Sequence, residues 1–177
     1  MKRVMRWNDA CTRALTLAGE LPLLLVLTVV IGFFLAPSMY PGGCLCYLVG
    51  LIVLLLFVIA LKQLSVALCP ASAWPFRPKR PDLPWTPGFP SSHAATMAFF
   101  TTTLALMPCG YSHVRRVVLA SVLGLLTLAV CVQRYISDAH TAAQLVGGLL
   151  IGVGAASLYA ALVSRRRCDA CGDGTCR

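Results

Sequence analysis

The sequence predicts an all-α, polytopic membrane helix bundle with about five transmembrane helices. Three observations carry this. The chain of 177 residues is 58% hydrophobic, it is only 12% charged, and its mean hydropathy is +0.79. A soluble domain holds about a quarter charged residues, and no water-soluble core of this size could bury so much leucine and valine. The length suits one membrane-embedded domain covering 1–177, with a basic N-terminal segment (1–20) and a cysteine-containing tail (164–177).

Five apolar segments follow in order: Leu21 to Ala36, Cys44 to Leu61, Ala94 to Met107, Val117 to Val132 and Ala142 to Val163. Those shorter than the roughly 20 residues that span a bilayer can be extended by their neighbours. The start is basic like a signal peptide, but no clean small-residue cleavage site follows, so the first segment reads as a retained helix. Pro37, Pro41, Gly42 and Gly43 end it. A proline-rich loop, Cys69 to Pro90, separates the second and third segments, and Pro108 to Ser112 separates the third and fourth. Arg134 to His140 is the whole joint between the fourth and fifth. With five helices, the second-to-third and fourth-to-fifth connections fall on one face of the membrane.

The net charge of +9 excludes less than it suggests. Its cations flank apolar segments and never form a stripe interleaved with aromatics, so membrane-flanking charge fits better than nucleic acid. Lys2, Arg3, Arg6 and Arg13 vote for one cytoplasmic face and Arg115, Arg116 and Arg165 to Arg167 for the other, so charge does not choose the orientation. Most of the nine cysteines lie in or beside apolar runs, where cysteine acts as a small hydrophobe. Cys168, Cys171 and Cys176 in the tail suit a solvated tail with no fixed role, a lipidation site or an incomplete metal site.

Two motifs hold the polar chemistry. Pro90-Ser91-Ser92-His93 opens the third apolar segment. Serines before a helix make a cap, and a helix N-terminus presents N–H groups and partial positive charge to an anion. A histidine on that first turn can hand a proton to a leaving oxygen. The second motif runs from Arg134 through His140 to Gln144. Arginine at a membrane helix end must face a polar cavity or the interface, and its fork suits a phosphate. His140 follows within one turn, and Gln144 lies four residues on, on the same helix face. The Gln144 amide oxygen can accept from one imidazole N–H, leaving the other nitrogen free to attack. Arg77, Lys79 and Arg80 in the long loop and Lys62 near the end of the second segment add cations for a phosphate clamp. Each of these residues also has a plainer reading, as interfacial charge or helix packing. The six acidic residues are too few near the site for a magnesium cage, so a metal-free route through a phosphohistidine fits better.

These motifs resemble those of the type 2 phosphatidic acid phosphatase superfamily, over the stretch from about Lys62 to the end of the last helix. Pro90-Ser91-Ser92-His93 is similar to its second motif, with Ser92 in place of glycine, and Arg134, His140 and Gln144 have the spacing of its third. Gln133 stands where that motif usually has serine and Gln144 where it has aspartate. In the first motif, Lys62 plus six residues reaches Cys69-Pro70, not Arg-Pro, so Arg77 or Arg80 would supply the missing guanidinium. His140-Thr141-Ala142-Ala143-Gln144 before a glycine-rich helix looks most like dolichyl diphosphatases.

The resemblance implies a lipid phosphatase acting on a polyprenyl (dolichyl-type) diphosphate, with other lipid phosphates, or a catalytically inactive lipid-binding relative, as alternatives. His140 would be the nucleophile, His93 the acid and Gln144 the partner that orients His140. Lys62, Arg134, Arg77 or Arg80, Ser91 and Ser92 would hold the phosphate. The partners implied are the bilayer and a lipid phosphate, with no metal or cofactor. The membrane would be the endoplasmic reticulum in a eukaryote or the inner membrane in a bacterium.

Overall fold

The computed structural model of the protein describes residues 43–68, 88–106 and 112–171, together with Pro22 and Leu24. These residues form four helices: α1 (Gly43–Leu68), α2 (Ser92–Leu106), α3 (His113–Ile136) and α4 (Ala142–Cys171). Three stretches are long and apolar enough to cross a membrane: Tyr47–Leu68, His113–Ile136 and Ala142–Val163. The expected count of five spans is therefore not reached among the described residues. The first expected span, Leu21 to Ala36, lies outside them except for Pro22 and Leu24.

The third expected span departs for a structural reason. It is the helix α2, whose 15 residues rise only ~22 Å, short of the roughly 30 Å hydrocarbon core. It is buried on several sides at once: Ala94, Ala95, Thr96, Met97, Ala98, Phe99, Phe100 and Thr103 are all buried. A helix apolar on every face can be a span or a central core helix, and α2 is the central one here. The long helices turn their apolar faces outward, with Val53, Leu56, Leu125, Leu128, Leu150 and Leu158 exposed. In water such a surface would drive aggregation, and in a bilayer it meets hydrocarbon.

Small residues bring α2 against α4. A Cβ on Gly148 would run into the carbonyl of Ser91, and one on Gly152 into the carbonyl of Ala95. Glycines four residues apart let two membrane helices touch backbone to backbone, and this pair does so beside the second motif. On the other side of α2, Leu51, Leu54 and Val58 of α1 repeat at helical spacing and pack on Ala95, Phe99 and Phe100. Tyr47 closes that cluster, with ring centroids 5.8 Å from Phe99 and 5.5 Å from Phe100.

The helix ends reach beyond the expected segments: α1 runs on to Leu68 past Leu61, and α3 covers His113–Ile136 where Val117 to Val132 was expected, so Arg134 lies in its last turn and not in the joint. The tail expected from residue 164 onward begins as a continuation of α4, which runs on to Cys171. Arginine favours helix and completes no turn signal there, so the helix continues past its apolar stretch.

Candidate active site

Four helix ends meet at one end of the bundle. They are the C-terminal part of α1 with Lys62, the start of α2 with His93, the end of α3 with Arg134, and the start of α4 with His140 and Gln144. Local hydrogen bonds hold each in place. Ser65 Oγ donates to the Lys62 carbonyl at 2.7 Å and lies 3.4 Å from the Phe89 carbonyl, tying α1 to the approach to α2. The Ser91 N–H donates to the Gln144 carbonyl at 3.1 Å, so the two sequence motifs are joined directly through the backbone.

The joint between α3 and α4 is a tight turn. The N–H groups of Ala139 and His140 both donate to the Arg134 carbonyl, at 3.1 and 3.2 Å, while Ser137 and Asp138 N–H donate to the carbonyls of Gln133 and Tyr135. Asp138 adopts φ 56°, a left-handed conformation that aspartate visits more readily than most residues. The turn delivers His140 next to Arg134 instead of carrying it one helical turn away.

The start of α4 is a reciprocal capping box. Gln144 N–H donates to Thr141 Oγ1 at 3.4 Å, and Thr141 N–H donates to Gln144 Oε1 at 3.0 Å. The same Oε1 lies 3.2 Å from His140 Nδ1. Because a backbone N–H also points at this atom, it must be the amide oxygen. His140 Nδ1 therefore carries a proton and donates it to Gln144. Gln144 is completely buried, so its geometry is fixed by packing as well as by these bonds. The Thr-x-x-Gln spacing is the sequence signal for this box, whereas the sequence expectation for Gln144 concerns only the histidine.

His93 and Arg134 are also in direct contact. The Arg134 guanidinium donates to His93 Nε2, which places the imidazole proton on Nδ1. Burial and the charges of Arg134, His140 and Lys62 push the His93 pKa down to about 4. His140 is lowered too, first by burial and then by Lys62 and Arg134. Its hydrogen bonds to Gln144 and to the Gly88 carbonyl oppose this. Both imidazoles are thus neutral at pH 7, inside a shell of fixed positive charge. Such a shell favours an anion.

The remaining expected site residues divide. Ser91 is fully buried, its N–H is engaged by Gln144, and its Oγ accepts from Ala94 N–H at 3.5 Å. It acts as the cap of α2 and as part of the seam with α4. Ser92 and His93 are the first two residues of α2, where helix geometry supplies no acceptor for the N–H groups. Those two amides, unlike that of Ser91, have no acceptor within the helix. Arg77 and Arg80 lie outside the described residues. Among the described residues no three His, Cys, Asp or Glu side chains converge as metal ligands would.

Fold and site together define an all-helical protein with helices long and apolar enough to cross a membrane and a cationic cluster around two histidines. The chain belongs to the PAP2 superfamily: the family's sequence model matches residues 43–168, which takes in all four helices and both motifs. Members of that superfamily are phosphatases, which are hydrolases. No curated protein and no solved structure matches the chain.

Proposed function

We propose that this protein is a membrane lipid phosphatase that removes phosphate from a polyprenyl diphosphate or a related lipid phosphate, through a phosphohistidine on His140. The observation that carries the reading is the double use of Gln144 Oε1, which fixes the His140 ring through Nδ1 beside Arg134 and Lys62. A neutral imidazole nitrogen next to fixed cations is the arrangement a nucleophile for an anionic phosphate needs.

The reaction then runs in two steps. A phosphoryl group enters the cationic shell and takes the Arg134 fork and the Ser92 and His93 amides as hydrogen-bond donors. Its negative charge, replacing the Arg134 contact at His93, raises the affinity of that imidazole for a proton, and His93 takes one up from solvent as the substrate enters. His140 Nε2 attacks phosphorus, the phosphorus–oxygen bond to the leaving group breaks, and His93 protonates the departing oxygen. A water molecule, giving a proton back to His93, next attacks phosphorus. The phosphorus–nitrogen bond breaks, which releases phosphate and regenerates His140. Lys62 and Arg134 hold the charge that builds on the equatorial oxygens in both steps. The diphosphate preference is supported by the sequence alone: Pro90-Ser91-Ser92-His93 and His140-Thr141-Ala142-Ala143-Gln144 carry it.

The test is phosphate release by purified protein in detergent with EDTA, from a polyprenyl diphosphate and from phosphatidic acid, beside His140→Ala. Release from the diphosphate that the variant loses supports the reading. Release from phosphatidic acid only moves the substrate to another lipid, and release from neither removes the phosphatase.

A further inference from the structure

The helices α2 and α3 meet closely at the site end and then part. At mid-height Thr101 Oγ1 and Thr127 Oγ1 are 3.0 Å apart, and a Cβ on Gly124 would still lie 3.9 Å from the Thr101 methyl. Beyond this level, toward the C-terminus of α2 and the N-terminus of α3, they leave a cavity of about 410 Å³. That is within the range of roughly 300–1,000 Å³ typical of small-molecule pockets. Its α3 wall is one stripe, His113, Arg116, Val117, Ala120 and Ser121, facing Thr101 and Ala105 of α2.

The cavity is split by chemistry along its length. Its apolar part, at Thr101, Ala105, Val117 and Ala120, is lined by aliphatic groups and by a hydroxyl already bonded to the Met97 carbonyl at 3.0 Å. Its mouth holds Arg116, half-buried, and His113, with Arg115 next in sequence. No acidic residue occurs anywhere between Asp82 and Asp138, so the α2–α3 pair supplies no counter-charge to Arg116. Asp138 itself lies at the other end of α3. A cationic mouth over an apolar slot, beside a membrane-crossing helix, has the polarity of one ligand class: a lipid with an anionic head.

We propose that this cavity binds an anionic membrane phospholipid, with its phosphate at Arg116 and His113 and part of an acyl chain along Ala120 and Ala105. The site is distinct from the candidate active site. Arg116 and Arg134 are separated by ~27 Å along the axis of α3, so the two lie at opposite ends of a helix long enough to cross the membrane. The lipid stands between the two helices where they splay, and it fixes their separation at the end remote from His93. The proposal does not depend on whether the phosphatase reading holds.

The experiment follows the thermal midpoint of the purified protein in neutral detergent during titration with phosphatidylglycerol, phosphatidylcholine or glycerol 3-phosphate. Phosphatidylglycerol is a phosphodiester, so a phosphomonoesterase site does not consume it. It is expected to raise the midpoint saturably and phosphatidylcholine to do so much less. Arg116→Gln should raise the half-saturating concentration by about tenfold or more, the loss expected for one charge-assisted contact. Ala120→Phe, which fills the slot, should remove the effect, and Arg134→Gln should leave it in place. A shift that survives both Arg116→Gln and Ala120→Phe would overturn the proposal. So would one that Arg134→Gln abolishes, or one that phosphatidylcholine matches. An equal effect of glycerol 3-phosphate would overturn the assignment to a lipid, since the apolar slot would then contribute nothing.

Discussion

Gln144 holds three partners with two atoms: its N–H and Oε1 close the capping box with Thr141, and Oε1 also faces His140 Nδ1. An amide can do this as well as a carboxylate, because both present an acceptor oxygen, but it stabilises the imidazolium less. Gln144→Asp is therefore expected to keep or raise turnover, whereas Gln144→Leu should lower it by at least about a hundredfold. A complete loss in Gln144→Asp would count against the orienting role. His140→Ala should lower phosphate release by at least about a thousandfold while the protein stays folded in detergent, which circular dichroism would check. The histidines also set an acid limit. The folded His93 pKa is depressed to about 4, so between there and the ordinary 6.5 the unfolded chain takes up a proton that the folded site refuses. Stability is then lost as pH falls through this window. The thermal midpoint of the phosphate-free protein should drop from pH 7 toward pH 4.5, and less steeply in His93→Gln.

At the scale of the helices, the seam between α2 and α4 decides whether the site assembles. Ser91 and Gln144 are joined across it by backbone, and Gly148 and Gly152 permit the approach. Gly152→Leu would force a side chain against the Ala95 carbonyl and push the helices apart, at a cost of about 1–3 kcal/mol or more. Its expected signature is a lower thermal midpoint together with lost turnover, although residue 152 lies about three turns from His140. Gly154 is the contrasting position: nothing lies within 4 Å of its added Cβ, and Gly154→Ala should be neutral to mildly stabilising. Either substitution is read by a thermal melt in detergent. The helix α2 shows how an element misleads a sequence reader. Ala94 to Met107 has a span's composition, but burial around most of its circumference makes it the core of the bundle.

At the scale of the molecule, three membrane-crossing stretches surround a short central helix, with the site at one end and the splayed cavity at the other. The long helices expose many leucines and valines, a surface suited to hydrocarbon and not to water. Alkaline carbonate should therefore leave the protein in the membrane pellet, and only detergent should extract it. Extraction by carbonate would contradict a membrane-crossing bundle. The cationic shell of Lys62 and Arg134 has no metal ligand set among the described residues. If the phosphohistidine route operates, phosphate release should survive EDTA, and a strict magnesium requirement would overturn that route.

Much of this is legible in the amino-acid sequence, because it depends on local facts. Composition requires hydrocarbon around the helices, and α1 begins within one residue of the expected Cys44, at Gly43, which the sequence places in the preceding turn. The offset between His140 and Gln144 already puts them on one helix face. What the sequence by itself determined was the class of protein, the helix breaks and the residue types available for phosphate chemistry. Only the tertiary structure decided which donors remain for a ligand. The Ser91 amide is removed by a carbonyl from a helix far along the chain, His93 Nε2 meets Arg134, and the Thr101 level marks where α2 and α3 part. The reason is physical. Periodicity and capping depend on neighbours within a few residues, whereas hydrogen-bond accounting in a buried site depends on whichever groups the fold brings together.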